Sequence, residues 1–322
     1  MNAKYPLKAL LVAGGLVILT AGCSQATGSP VDSSKLQGTI TISGAFALYP
    51  MMVRWGEEFQ KLHPDVKLDV SAGGAGKGIA DVLGGAVDIG MVSREITPQE
   101  EQKGAFWVPV TRDAVFVTVN ERNPVWEDLH RRGVTHDTFV GIYVTGDVKT
   151  WGQVVGRPEI VDLIHVFTRS DACGAADAWS KYLGKTQEDL LGVGVYGDPG
   201  VVEAVVKDPL GIGYNNGGYA YDLATDKPVA GSRVVPIDAN GNGQADPSEV
   251  CDTHTQAVDA VVKGLYPSPP ARDLYLVTKG KPAGLTRALI EWVLGDGQKY
   301  VPEAGFVSLP QDKLNDGVSK LK

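Results

Sequence analysis

The chain has 322 residues, 43% of them hydrophobic and 21% charged, with a formal net charge of −8. That supplies a large core and exceeds the usual size of one compact domain. The acidic balance argues against nucleic acid or an anionic membrane surface as partner, and the 40 glycines and 19 prolines argue against coiled coil.

The N-terminus, MNAKYPLKALLVAGGLVILTAGC, has Lys4 and Lys8, an apolar run from Ala9 to Ile18, and small residues before Cys23. This predicts a secretory signal over residues 1–22, with an apolar run too short for a comfortable membrane span. The LTAGC end resembles a bacterial lipobox, although Thr20 stands where leucine is usual. The resemblance implies that Cys23 is lipidated and becomes the first residue of the mature chain. The alternative is a plain signal peptide cut near Ala21. Residues 23–37, small and polar, read as a flexible tether. Removing Lys4 and Lys8 takes the net charge from −8 to −8 − 2 = −10. Any bound anion must therefore be drawn by a local site.

From Gly38 the pattern alternates strand, turn and helix. GTITISG alternates into a glycine, and the next segment runs at helical spacing through Leu48, Met52, Trp55, Phe59 and Leu62 to a stop at Pro64. VKLDVSAG, GKGIADVLGGA and VDIGMVS continue a βαβαβ rhythm, which predicts a largely parallel sheet with helices on both faces. A β-rich run, FWVPVTRDAVFVTVNERNP, is long enough to leave one lobe and enter another. A second α/β set follows from FVGIYVTG onward, and YPSPPARDLYLVTKG returns the chain. Two crossings make a hinged cleft. The fold class read from this order is α/β, two Rossmann-like lobes joined by a two-strand hinge: 38–117 plus 265–322 in the first lobe and 118–264 in the second.

Within the second lobe, FTRSDACGAADAW places Arg169 and Asp171 in a small-residue turn. The turn lies between an apolar strand-like run, Ile160 to His165, and a helix-like one, Ala175 to Leu183. Helix starts present unpaired N–H groups and partial positive charge, and arginine adds a fork suited to oxyanions. The turn reads as an anion pocket or as an ordinary strand–turn–helix with a surface arginine.

An insertion at about 222–255 contains DANGNGQADPSE. It fits the twelve-residue calcium loop, with donors Asp238, Asn240, Asn242, the Gln244 carbonyl, Asp246 and Glu249, and with Gly243 at the sharp turn. The flanks do not read as paired helices, so the expectation is a free-standing structural Ca2+ loop. With Cys23 lipidated, Cys173 and Cys251 remain, an even pair that in an oxidising compartment is most simply a disulfide. A nucleophilic Cys173 is the competing reading, and no base stands near it in sequence.

The segments SGAFALYPMMVRW, SAGGAGKGIADVLGGAVDIGMVSREI, VPVTRDAVFVTVNERNP, RSDACGAADAW, GIGYNNGGYAYD, YPSPPARDLYLVTKGKP and GQKYVPEAGFVSLP occur in this order. Together they resemble the periplasmic phosphate-binding proteins that feed ABC importers, over nearly all of residues 38–311 apart from the insertion. The resemblance implies two lobes closing on a dehydrated oxyanion. It assigns the pocket to Ala45, Phe46 and Ala47, to Gly73 and Gly74, to Ser93, and to the turn from Arg169 through Cys173, Gly174 and Ala175. Arg169 would grip the anion bidentately, and Asp171 would fix its orientation. Several serine and threonine hydroxyls usual in that family are absent: Ala45, Phe46, Ala47, Cys173 and Ala175 stand in their places. Ser93 stands where a carboxylate often accepts the ligand's proton, and a hydroxyl cannot repel a fully ionised anion as a carboxylate would.

The reading is therefore a monomeric, membrane-tethered, extracytoplasmic solute-binding protein. It would deliver phosphate or a similar oxyanion to the membrane subunits of an ABC importer, and it would not be an enzyme. The alternatives are a surface sensor or scaffold without ligand, and a phosphoester hydrolase. No metal-type histidine spacing and no Gly-x-Ser-x-Gly elbow speak for the hydrolase.

Overall fold

The computed structural model describes residues 36–322, which form one compact unit. The predicted signal segment, Cys23 and nearly all of the tether lie outside the described residues.

Two five-stranded sheets organise the unit. The first has the order Val66–Ala72, Gly38–Gly44, Ile89–Val92, Arg272–Lys279, Ala105–Asp113. Its first three strands pair in parallel, and Arg272–Lys279 pairs antiparallel with both of its neighbours. The alternation of GTITISG buries Ile40 and Ile42, and Ile42 registers with Val70 on one side and Ile89 on the other. The strand must end in glycine. Gly44 has φ +134°, and a Cβ there would lie 2.2 Å from the Met91 carbonyl. Gly78 of the helix Ala75–Gly84 is equally bare, so helix and strand touch backbone to backbone. That contact sets the start of this helix at the carboxyl edge of the sheet.

The second sheet has the order Ser232–Val234, Val115–Asn120, Gly211–Asn216, His165–Arg169, Val193–Val195. Only the strands from His165 to Asn216 pair in parallel, so both sheets are mixed rather than largely parallel. The crossing segments explain this. Ala105–Asp113 passes directly into Val115–Asn120, so each lobe includes a strand shared with the hinge and running against its neighbours. The return crossing falls at Ala271–Arg272, later than residue 265. Tyr266 packs on Phe116 at 4.8 Å and donates to the Val115 carbonyl at 2.7 Å, which ties it to the second core.

That second core centres on Trp179, Tyr143 and Tyr214, all completely buried, with Trp179 stacked on Tyr214 at 6.0 Å. Burial of each large side chain contributes about 1.5–3 kcal/mol and fixes the strands around it. No described helix is long and apolar enough to cross a membrane.

Candidate functional site

Arg169 is the last residue of the strand His165–Arg169. The turn after it leads into the helix Gly174–Tyr182, and the next strand leads likewise into the helix Gly197–Lys207. Both helix starts face the first lobe, so one arginine and two positive helix ends share a place.

Arg169 is buried, 4% exposed. Its Nε and Nη2 donate to Asp171 Oδ1 and Oδ2 at 2.8 and 2.6 Å, and its Nη1 donates to Asp198 Oδ2 at 2.6 Å. The Phe46 ring covers the guanidinium at 5.4 Å. Burial opposes the charge on Arg169, but Asp198 and Asp171 outweigh it and hold its pKa above the ordinary arginine value.

Asp198 is fully buried and accepts from Asn216 N at 2.9 Å and from Asn216 Nδ2 at 2.8 Å on each oxygen. Asn216 Oδ1 in turn accepts from Arg272 Nη2, and Arg272 Nε donates to the Ser93 carbonyl at 3.3 Å. Arg272 also lies 3.8 Å from Asp113 at the first hinge crossing. A continuous polar chain thus runs from Arg169 to the hinge.

The lobes meet around this chain. Gly76 N donates to Ala172 O at 2.9 Å across the cleft. A Cβ on Gly174 would lie 2.1 Å from Ser93 O, and one on Gly74 would lie 2.8 Å from Asp171 Oδ2. Phe46 packs over Gly197 and edge-on to Tyr196 and Tyr219, at 5.9 and 6.4 Å.

The amides at these helix starts divide into two groups. Those of Ala45, Gly73, Gly74 and Cys173 are engaged within the chain: Ala45 N with Met91 O, Gly73 N and Gly74 N with Gly44 O, and Cys173 N with Gln187 Oε1. They are not free to hold a ligand. The amides of Phe46, Ala47, Ala75, Gly174 and Ala175 donate to no acceptor among the described residues. Unmatched helix-start amides from both lobes and a buried guanidinium are donor types that suit an oxyanion. Ala75 was absent from the sequence reading, as were Asp198, Asn216 and Arg272. The one signal for Asp198 is YGDPG, a second strand–turn–helix junction like that at Arg169.

A family model described as a PBP superfamily domain matches residues 29–297, most of the chain. The chain belongs to the PBP superfamily.

Several named proteins are similar to this chain over most of its length. The phosphate-binding protein PstS of Bacillus subtilis is 23% identical, over 97% of this chain and 96% of the relative. That of Methanocaldococcus jannaschii is 27% identical, over 94% and 91%. A solved structure of a putative phosphate ABC transporter substrate-binding protein with bound phosphate, from Clostridium perfringens, superposes with a TM-score of 0.69 at 23% identity. It covers 85% of this chain and 100% of that one. An ABC-type phosphate transport receptor from Vibrio cholerae gives a TM-score of 0.60 at 22% identity, over 84% and 100%. At these identities the structural likeness speaks to the fold.

Two further expectations concern the cysteines and the 238–249 loop. The expected Cys173–Cys251 disulfide is not formed: both residues are buried free thiols. The Cys173 sulfur caps its helix, accepting from Ala176 N at 3.4 Å. Cys251 sits beneath Tyr221, whose hydroxyl donates to the Cys251 carbonyl at 2.7 Å. Burial pushes both thiols up to about 12. Nothing covalent ties the 238–249 loop to the arginine turn.

In that loop Asp238 is buried by parallel pairing of Ile237–Asp238 with Val134–Thr135. Asp238 Oδ1 accepts from Gly241 N and Asn242 N at 2.7 and 3.2 Å, and Oδ2 accepts from Gly243 N at 2.9 Å. Asn240 and Asn242 converge on Asp246 Oδ2 at 2.7 and 3.2 Å. Gln244 N donates to Asn242 Oδ1, and Glu249 closes the loop onto Ala239 N and Asp246 N. Gly243 has φ +76°, the left-handed turn that glycine permits. Among the described residues no group of three or more His, Cys, Asp and Glu side chains stands close enough to hold a metal. The oxygen set of this loop mixes three carboxylates, Asp238, Asp246 and Glu249, with the carboxamides of Asn240 and Asn242.

Proposed function

We propose that this protein captures phosphate or a similar tetrahedral oxyanion outside the cytoplasm and hands it, as a monomer, to an ABC importer. One observation carries the reading: helix-start amides of both lobes have no acceptor among the described residues, in the same cleft that holds the buried Arg169. Each such amide would give a charge-assisted bond worth about 1.5–3 kcal/mol, and main-chain donors would replace the hydroxyls that this sequence lacks. Relatives named for phosphate binding support the same choice. Lipidation of Cys23 would hold the domain at the membrane, and the intact mass of membrane-extracted protein tests it.

Calorimetric titration with phosphate, sulfate, arsenate and molybdate tests the binding. Saturable binding of one of them, lost in Arg169→Ala, is the expected result. A chain that binds none favours the second reading, a surface scaffold without ligand. That reading draws on Asp198, which already engages Arg169, and on Phe46, which covers it. A phosphoester hydrolase gains nothing from Cys173, whose sulfur is a buried protonated cap.

We also propose that the 238–249 loop takes Ca2+ through Asp238, Asn240, Asn242, the Gln244 carbonyl, Asp246 and Glu249. Convergence of Asn240 and Asn242 on Asp246 supports it, since rotation of both carboxamides would turn their oxygens inward. A set with only three carboxylates, with Asn240 and Asn242 completing it, fits the weak, millimolar class of extracellular calcium modules, and its role would be structural.

A further inference from the structure

Away from the anion cleft, the second lobe carries an apolar groove that no motif or resemblance assigns. It encloses about 630 Å³. It opens where the strand His165–Arg169 begins, so about 13 Å of strand separates it from Arg169. Leu163, Leu191 and Val193 form its rim and are 57%, 42% and 63% exposed. Val148, Ile164 and Val166, half-buried against the second core, form its floor. Two glycines leave its walls bare: a Cβ on Gly146 would lie 3.2 Å from Leu191 Cδ1, and one on Gly192 would lie 2.9 Å from Val166 Cγ1. Val193–Val195 is the outermost strand of its sheet, so no further strand covers the groove on that side.

The charged groups that line it are few, and one of them is unmatched. His165 Nδ1 pairs with Asp208 Oδ2 at 2.7 Å. Lys149 engages its main chain, N donating to Gln153 Oε1 at 2.7 Å and O accepting from Ile164 N at 2.9 Å. Its ammonium has no ion-pair partner among the described residues, although it lines the groove. An apolar trough with one uncompensated cation complements a molecule that has an apolar tail and a single anionic head. A wholly polar anion would leave the exposed leucines and valine in water, and a bare alkyl chain would leave the ammonium unmatched. The net charge of −8 opposes a sheet of anionic headgroups, so a single dissolved molecule fits better than an anionic bilayer.

We infer that this groove is a second binding site, for a single-chain anionic amphiphile of the medium-chain fatty-acid class, with the alkyl chain between Leu163, Leu191 and Val193 and the carboxylate on Lys149. Removal of the alkyl chain from water supplies most of the affinity, and the exposed ion pair chiefly orients the head.

Calorimetric titration of the full chain with hexanoate, octanoate and decanoate below their micelle concentrations tests this, with 1-octanol as the uncharged counterpart of octanoate. Binding at one site should tighten by about threefold per added methylene. Leu191→Asp should abolish it, and Lys149→Ala should weaken octanoate by about threefold while leaving 1-octanol unchanged. Saturating phosphate should alter none of these affinities. Absence of binding, an affinity indifferent to chain length, or an octanoate affinity unchanged in either variant overturns the inference. Displacement by phosphate overturns it too, because the carboxylate would then sit in the cleft with Arg169. Leu191 and Val193 are both exposed, and Val193→Asp takes the place of Leu191→Asp if that variant does not fold. Should the wild type bind no fatty acid while Leu191→Asp breaks a dimer or releases the chain from phosphatidylcholine vesicles, the groove belongs to another occupant and the inference falls.

Discussion

Arg169 and Asp171 were legible in RSDACG because they lie two residues apart in one turn, and the structure joins them by a two-pronged pair. Asp198 and Arg272 were not. Each reads locally as a surface charge in a turn or at a strand start, and each is drawn in by partners distant in sequence, Arg169 and Asn216 for Asp198 and Asn216 and Asp113 for Arg272. Asp113 belongs to the same group. Its Oδ2 finds no hydrogen-bond partner among the described residues, and burial pushes its pKa up to about 6 although Arg272 works the other way. The native state therefore keeps a proton that the unfolded chain gives up near pH 4. The stability this group contributes is complete below about pH 4 and is lost as pH rises through about 6, a span on the order of 3 kcal/mol. Asp113→Asn should flatten that part of the stability profile, as measured by urea midpoints across the window. An unchanged profile would mean that the carboxyl is solvated at the hinge.

At the scale of elements, the sequence located the junctions better than the conformations between them. Ile160 to His165 reads as strand, but the strand begins at His165 and runs to Arg169. The β-branched run around FVGIYVTG is helical, His136–Val140 continued by a π-helical turn to Thr145. Thr135 caps it, and Phe139, Ile142 and Tyr143, spaced three and four apart, enter the core. Tertiary burial outweighs β propensity there. The glycines of the cleft act between elements, and Gly174 is the sharpest case, with its hydrogens against Ser93 of the other lobe. Gly174→Ala should hold the lobes apart, lowering anion affinity by about 100-fold while leaving each core intact. A radius of gyration larger than that of the wild type in small-angle scattering, with little change in melting temperature, is the expected result. For the 238–249 loop, millimolar calcium should raise the melting temperature of the wild type, and Glu249→Ala should abolish the rise because the ligand at position twelve is gone. Equal melting with and without calcium in the wild type would leave the loop a hydrogen-bonded turn.

For the whole molecule, two sheets joined at Asp113–Val115 and Ala271–Arg272 bring strand ends and helix starts from distant parts of the chain to one cleft. The alternation of strands and helices foretold two lobes. It could not foretell that the hinge strands run antiparallel in both sheets, nor that Phe46 closes over Arg169 when the lobes touch. Against a negative overall charge, capture of an anion depends on this local convergence alone. The most direct measurement is the anomalous-scattering position of arsenic in crystals grown with arsenate. The account predicts arsenic in the cleft, within hydrogen-bond reach of Arg169 and of the amides of Phe46, Ala47, Ala75, Gly174 and Ala175. Arsenic found only outside the cleft, with Arg169 still paired as it is here, would contradict it.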